Sequence, residues 1–238
     1  MTTKVSFLFD VDGTLTPSRG RIDPDFEQWF LKFIANYPVS LVTGSDREKT
    51  LEQLGEQIVN SVVYCFNCAG NAAYQQEQLV YSSSWQAPQD LLDFLEQHLK
   101  TSPYPERYGR HFEQRIGLLN FSVVGRGAQG DQRTNYYHWD QVHNERDQLV
   151  DQINRNWTKC QAAAGGETGI DIFERGCDKA QVLEYFSNDV FFFGDRQDEQ
   201  GNDHTLAKAI LDQNRGLCYP VDNWTTTWNI LKKLCPDV

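Results

Sequence analysis

Basic residues are scarce in this chain. Its 238 residues carry 22 Lys and Arg against 33 Asp and Glu, a formal net charge of −11 at pH 7. A surface of that sign repels polyanions, so non-specific nucleic-acid binding is disfavoured, and so is an anionic membrane surface. Long apolar runs are missing as well. None approaches the roughly 20 residues that span a bilayer. Met1-Thr-Thr-Lys4 leads into a short apolar run that stops at Asp10, which is too short for a secretory leader and lacks a small-residue cleavage site. Cysteine is sparse: of the six, only Cys65 and Cys68 lie close together. A tetrahedral zinc site needs a second such pair, and there is none. A Cys65–Cys68 redox pair stays open beside the plainer reading, ordinary thiols in a reducing cytoplasm, which is the expected compartment. No internal repeat or low-complexity tract is visible.

Aromatic residues are abundant. With 14 Phe, 10 Tyr and 6 Trp, and 39% hydrophobic residues, the chain can fill a real core, and disorder is not expected. The length suits one or two compact units. Lys4–Phe9 is a continuous apolar run ending at Asp10, as in a buried parallel strand. Residues 23–36 carry Phe26, Trp29, Phe30 and Phe33 at helical spacing, with Pro24 near the start, where a helix tolerates it. Residues 39–42 read as a second strand. Asp46 then caps a helix through Leu54, and 62–66 reads as a third strand. This rhythm predicts an α/β sheet with function at the strand C-termini.

The rhythm changes near residue 83. A helix is expected over 88–100, antiparallel strands at 112–114 and 118–124, a polar stretch around 125–135, a helix over 140–157 and a strand at 170–173. The α/β pattern then returns, with a helix near 179–187, a strand at 190–193 and a helix over 203–213. The expected organisation is a core built from 1–82 and 179–238, with an inserted α+β cap over 83–178.

The sharpest motif is Asp10-Val11-Asp12-Gly13-Thr14 at the end of the first apolar strand. An aspartate can attack a phosphoryl group and carry it as an acyl phosphate. That requires a metal to screen two approaching anions. The second aspartate can move protons to and from the ester oxygen. Gly13 permits the sharp turn that aims backbone N–H groups at phosphate. A plain Asp-Gly turn is the alternative, but a paired-carboxylate version on a buried strand is much rarer. Further along come Thr43-Gly-Ser45-Asp46, Cys177-Asp178-Lys179, Phe193-Gly194-Asp195 and Gly201-Asn202-Asp203. The acidic pair after 190–193 suits Mg²⁺ through hard oxygen ligands. Taken singly, Ser45 reads as a helix cap and Lys179 as a surface lysine.

In this order the motifs resemble the haloacid dehalogenase superfamily of phosphotransferases, whose Rossmann-like core the chain is expected to share. The resemblance sharpens toward the eukaryotic-type phosphomannomutase family. It rests on Asp12-Gly-Thr-Leu-Thr-Pro-Ser-Arg19, Gly44-Ser-Asp-Arg-Glu-Lys49, Glu52-Gln-Leu-Gly55, Glu113-Gln-Arg115-Ile-Gly117-Leu-Leu-Asn120, Gly125-Arg126, Arg133, Gly165-Gly166 and Gly176-Cys-Asp-Lys179. It implies that mannose 6-phosphate and mannose 1-phosphate, and with them glucose phosphates, are interconverted through phosphorylated Asp10, as a step of GDP-mannose biosynthesis. Asp12 would be the acid/base, and a hexose 1,6-bisphosphate the activator. Mg²⁺ would be held by Asp10, Asp12 (through its carbonyl) and Asp195. Ser45 and Lys179 would bind the transferred phosphoryl group, with Asn202 nearby. Arg115, Arg126 and Arg133 would grip the distant phosphate, Arg19 would contact substrate, and Asp171 would bond a sugar hydroxyl. A planar arginine fork suits phosphate. Pairing of these arginines with neighbouring acids on a wet surface is the plainer alternative. The resemblance also implies a homodimer through the caps. The runner-up activity is a Mg²⁺-dependent sugar-phosphate phosphatase of the same superfamily. Three departures stand out, one of them the loop after Asp195, Arg196-Gln-Asp-Glu-Gln200. Gly169 replaces a serine of the family, and Asn67-Cys-Ala-Gly70 stands where the family has Glu-Asn-Gly.

Overall fold

The computed structural model describes residues 5–199 and 201–238; Lys4, at the head of the first expected strand, lies outside them. In chain order the elements begin β1 (Ser6–Phe9), α1 (Pro24–Asn36), β2 (Val39–Val42), α2 (Arg47–Ser61), β3 (Cys65–Asn67), β4 (Ala72–Gln75) and β5 (Gln78–Ser82). There follow α3 (Gln89–Thr101), β6 (Phe112–Arg115), β7 (Leu118–Phe121), α4 (Asp131–His143), α5 (Glu145–Asn156), β8 (Cys160–Gly165) and β9 (Gly169–Glu174). A 3₁₀ turn (Lys179–Tyr185), β10 (Val190–Gly194), α6 (His204–Asp212), β11 (Gly216–Pro220) and α7 (Trp224–Leu234) close the chain. Among the described residues no helix is long and apolar enough to cross a membrane.

The described residues divide into two compact units. Those up to Ser82, Cys177–Glu199 and Asp203–Val238 form the first; Ser83–Gly176 with Gly201 and Asn202 form the second. Cys177 and Asp178, expected in the insert, belong to the first unit. Asn202, expected in the core, groups with the second.

The first unit is a seven-stranded sheet in the order β11-β10-β1-β2-β3-β4-β5. The five strands from β11 to β3 run parallel, and β4 and β5 add an antiparallel hairpin that the sequence reading did not expect. β1 is buried on both faces, which is why its sequence is apolar without alternation. Phe7 and Phe9 pack with Phe26, Phe30, Phe33 and Phe193 on one face, and Leu8 packs with Val182, Phe192 and Leu206 on the other. Phe9 meets Phe30 edge-on at 5.4 Å and stacks on Phe193 at 4.9 Å. Asp23 caps α1 by accepting from the Asp25 and Phe26 N–H groups. Asp46 caps α2, accepting from Lys49 N at 2.9 Å. The helix expected to stop at Leu54 does break there, because Gly55 takes φ 78 and ψ 158, but it winds on to Ser61. Val62 is spent closing that helix, its N–H bonding Ile58 O, so β3 starts at Cys65 rather than at 62. The helix expected near 179–187 is the 3₁₀ turn.

In the second unit the sheet order is β6-β7-β9-β8, all antiparallel. Leu91 and Leu95 of α3, Tyr136 of α4, and Leu149 and Ile153 of α5 pack with Phe121, Ile170 and Ile172 of the sheet. The expected polar stretch and single helix over 140–157 are in fact two helices, α4 and α5, broken at Asn144 in the left-handed region (φ 54). α4 looks polar, yet Tyr136 and Trp139 stack near Tyr104 and bury its inner stripe. β8 escaped the sequence reading because its Ala and Gly residues are poor strand formers. Strand alternation sends Asn120 and Asp171 to the side opposite Phe121, Ile170 and Ile172. Register pairs Glu113 with Asn120, and Asn120 with Asp171.

Candidate active site

Three parallel strands end side by side in the first unit. Phe9 of β1 pairs with Phe193 of β10 and Leu41 of β2, and chain order reverses at β1. Such a reversal leaves a crevice beyond the strand ends. Asp10 steps straight off β1, its N–H bonding Phe193 O at 2.9 Å, and Asp195 steps off β10. Gly13 takes φ +73, and a Cβ there would lie 2.4 Å from Asp195 Oδ2. Only glycine lets the turn after β1 lie against that carboxylate.

Lys179 is buried among these acids. Its Nζ donates to Asp10 Oδ1 and to Asp203 Oδ1, both at 2.6 Å. Asp203 Oδ2 also accepts from Arg196 N at 3.2 Å. Asn71 anchors the segment leading to Lys179 by donating to the Cys68 and Cys177 carbonyls, and Asp178 caps the 3₁₀ turn through Ala180 N. Burial works against the Lys179 charge, but Asp10 and Asp203 outweigh it and hold its pKa above the usual lysine value. Burial pushes the Asp10 carboxyl well up; Lys179 pulls it back, while Asp203 and Asp195 push it further up. Asp195 is raised to about 6, first by burial and then by Asp203.

One ammonium does not balance three carboxylates. With all of them ionised the cluster holds two surplus negative charges, and the raised Asp10 and Asp195 register that strain. One oxygen from each of Asp10, Asp195 and Asp203 lies within 4.8 Å of the others. Hard oxygen donors with a double charge deficit fit a divalent cation such as Mg²⁺. Asp203 has both oxygens engaged, so Asp10 and Asp195 are the better direct ligands.

Asp12 faces different partners. Its Oδ1 accepts from Arg19 N and from Gln53 Nε2, the latter at 3.0 Å. Among the described residues no hydrogen bond engages its carbonyl, the atom expected to meet the metal. Arg19 takes φ +57, which costs about 1–2 kcal/mol for a residue with a Cβ. That conformation aims its N–H at Asp12, a backbone role absent from the sequence reading. Ser45 follows β2, its N–H bonding Thr43 Oγ1 and its carbonyl accepting from Cys68 N.

In the second unit, Glu113 draws the expected arginines together. Its Oε1 takes Arg115 Nε at 3.0 Å, and its Oε2 takes Arg126 Nε at 2.8 Å and Arg110 Nη2 at 3.3 Å. Arg133 is not in this group; its Nε pairs with Glu167 at 3.1 Å. Asp171 Oδ1 accepts from Asn120 Nδ2 at 2.6 Å. A Cβ on Gly169 would meet Asn120 Nδ2 at 2.8 Å, so the asparagine amide stands where a serine would project. Cys65 and Cys68 are buried and not disulfide-bonded, and burial pushes Cys65 up to about 12.

Residues 26–236 match the family model described as eukaryotic phosphomannomutase. The chain belongs to that family. It is 30% identical over 212 residues to a phosphomannomutase of Triticum aestivum, covering 85% of each chain. It is 30% identical over 225 residues to one of Arabidopsis thaliana, covering 90% of this chain and 92% of the relative. Solved structures share the fold at much lower identity. A haloacid dehalogenase-like hydrolase from Bacteroides thetaiotaomicron superposes with a TM-score of 0.62 at 11% identity, covering 98% of this chain and all of that one. The C-terminal domain of trehalose-6-phosphate phosphatase from C. albicans gives 0.58 at 18%, covering 89% and 74%. The family match starts after Asp10 and Asp12, so their assignment stands on geometry.

The structure therefore brings Asp10, Asp195 and Lys179 together and joins Asp203 to them. Asp203 stood in the quoted Gly201-Asn202-Asp203 run as half of the acidic pair suited to Mg²⁺, but its bond to Lys179 was not expected. Gln53 and Glu113 also stood inside quoted motifs, but nothing in the sequence showed what they touch. Asn120 ended the same quoted run as Glu113, and its bond to Asp171 was likewise hidden.

Proposed function

We propose that this enzyme interconverts mannose 6-phosphate and mannose 1-phosphate, with glucose phosphates as further substrates, by way of phosphorylated Asp10. The observation that carries the reading is the buried Asp10–Lys179–Asp203 chain beside Asp195, in a member of the phosphomannomutase family. Asp10 attacks the phosphorus of a hexose 1,6-bisphosphate, and the bond to the sugar oxygen breaks. Asp12 gives that oxygen its proton and takes one back when the isomeric hydroxyl accepts the phosphoryl group. Lys179 lowers the repulsion between the phosphoryl group and the Asp10 carboxylate. Mg²⁺, held by Asp10, Asp195 and the Asp12 carbonyl, would offset charge on the transferring group. Ser45 and Asn202 are assigned to the phosphoryl group and Arg19 to the sugar. Arg115, Arg126 and Arg133 are assigned to the second phosphate, and Asp171 to a sugar hydroxyl. A cytoplasmic homodimer joined through the inserted units completes the reading.

A sugar-phosphate phosphatase is the second reading, favoured by the absence of a hydroxyl at Gly169. The deciding experiment supplies mannose 1-phosphate, Mg²⁺ and catalytic glucose 1,6-bisphosphate. Formation of the 6-phosphate is expected. Release of inorganic phosphate alone would refute the mutase. Asp10→Asn should cost about a thousandfold or more in kcat, because the nucleophile is gone. An Asp10→Asn variant as active as the parent would end the mechanism.

A further inference from the structure

We propose that Gln53 is a positioning residue that fixes the Asp12 carboxylate for proton transfer to the sugar oxygen. The inference deepens the preceding reading and rests on Asp12 being its acid/base.

Gln53 sits in α2 and is buried, 1% exposed. Its Nε2 faces three acceptors: Asp12 Oδ1 at 3.0 Å, Thr16 Oγ1 at 3.2 Å and Gly20 O at 3.3 Å. Its Oε1 is buried with no partner among the described residues. A buried unpaired carbonyl is costly, and a helix residue with an apolar side chain would avoid it. The opposite amide orientation is ruled out by the acceptors. Turned over, Oε1 would face the Gly20 carbonyl and the Asp12 carboxylate, oxygen against oxygen. Asp12 and its turn thus dictate how the amide lies, and the amide in turn holds Asp12.

Both hydrogen bonds to Asp12 fall on the same oxygen. Gln53 Nε2 and Arg19 N pin Oδ1, while no hydrogen bond reaches Oδ2 among the described residues. Oδ2 is left to exchange the proton. Gln53 also ties down the chain that presents Arg19: its backbone carbonyl accepts from Ile22 N at 2.9 Å, and its side-chain amide donates to Gly20 O at 3.3 Å. One side chain therefore sets the carboxylate and the turn that supplies its other donor.

The test separates proton donation from phosphoryl transfer by choice of leaving group. When Asp10 displaces a sugar oxygen, the electron pair of the P–O bond goes to a strongly basic alkoxide, which needs the Asp12 proton. p-Nitrophenolate is a weak base and leaves without one. Gln53→Met, similar in size and without donors, should lower the ratio of hexose-phosphate turnover to p-nitrophenyl phosphate turnover by about tenfold or more. That loss should lie in kcat, with the KM for the hexose phosphate held within about twofold. In an Asp12→Asn background the same substitution should leave the ratio unchanged. Gln53→Glu, which keeps the length and sets like charges together, should move the ratio in the same direction. Equal slowing of both esters in both variants would overturn the proposal. So would an undiminished fall in the Asp12→Asn background. Should the parent release inorganic phosphate without isomerising the sugar, the mutase reading fails, yet the same ratio still reports on Gln53.

Discussion

Replacing Asp195 by asparagine should make the metal-free protein more stable while destroying its use for Mg²⁺. Its carboxyl is raised from 3.8 to about 6 by burial and then by Asp203. A gap of roughly two units corresponds to about 3 kcal/mol held against the folded state once the group ionises. Partial solvent access trims this to about 1–2 kcal/mol. The sign follows from the raised value. Below the unfolded carboxyl's pKa, near 4, both states are protonated and nothing is lost. Between about 4 and 6 the unfolded state ionises first and stability falls; above 6 the full penalty applies. Asparagine never carries the charge, so Asp195→Asn should raise Tm by about 2–8 °C above pH 7 and by almost nothing near pH 4. Thermal melts in chelator across that range read it. Adding Mg²⁺ should then raise the Tm of the parent and not that of the variant. A variant less stable than the parent at neutral pH, or one offset equally at every pH, would refute the charge-strain argument.

Two substitutions probe the departures from the family. Gly169→Ser should push Asn120 off Asp171, since the new Cβ would lie 2.8 Å from the Asn120 amide nitrogen. The expected cost is about 1 kcal/mol in urea denaturation together with a raised KM, not the gain that restoring a family serine suggests. Ala69, buried in the Asn67-Cys-Ala-Gly70 segment, takes φ +58 and ψ 32, and its carbonyl is held by Gln181 Nε2 at 2.9 Å. Ala69→Gly should relieve left-handed strain worth about 1–2 kcal/mol at a smaller entropic cost. A net gain of about 0.5–1 kcal/mol in urea follows, and a loss would show that the methyl packs better than the backbone suffers.

The legible parts of the fold were those with strong periodicity and clear punctuation. β1 and β10 are apolar on both faces and end in aspartate, so their existence and their C-termini could be read directly. α1 announced itself by Pro24 and an aromatic stripe. The illegible parts lacked a residue-level signal. β5 is exposed along its whole length, so no apolar face marks it. β8 is mostly alanine and ends in glycine, and only its pairing with β9 makes it a strand. The Asn144 break between α4 and α5 depends on a left-handed conformation that asparagine tolerates but does not demand.

The site divides along the same line. Chemistry-bearing residues adjacent to strand ends were readable, because position on β1 and β10 determines where their side chains emerge. Residues that hold others were not, because their meaning lies in contacts far apart in sequence. Glu113 shows why the choice between a phosphate grip and an ordinary surface pair was badly posed. It pairs with Arg115 and Arg126 as the plainer alternative required, yet one carboxylate cannot neutralise three guanidinium groups. Burial would raise its pKa, but Arg115 and Arg126 outweigh it and hold it below the usual carboxylate value, so Glu113 stays ionised at neutral pH. Within this group of four side chains the guanidinium charges outnumber the carboxylate, and Arg115 and Arg126 are anchored on Glu113. In a chain of net charge −11, a local surplus of this kind has to be built, and an internal carboxylate that gathers arginines is a means of building it.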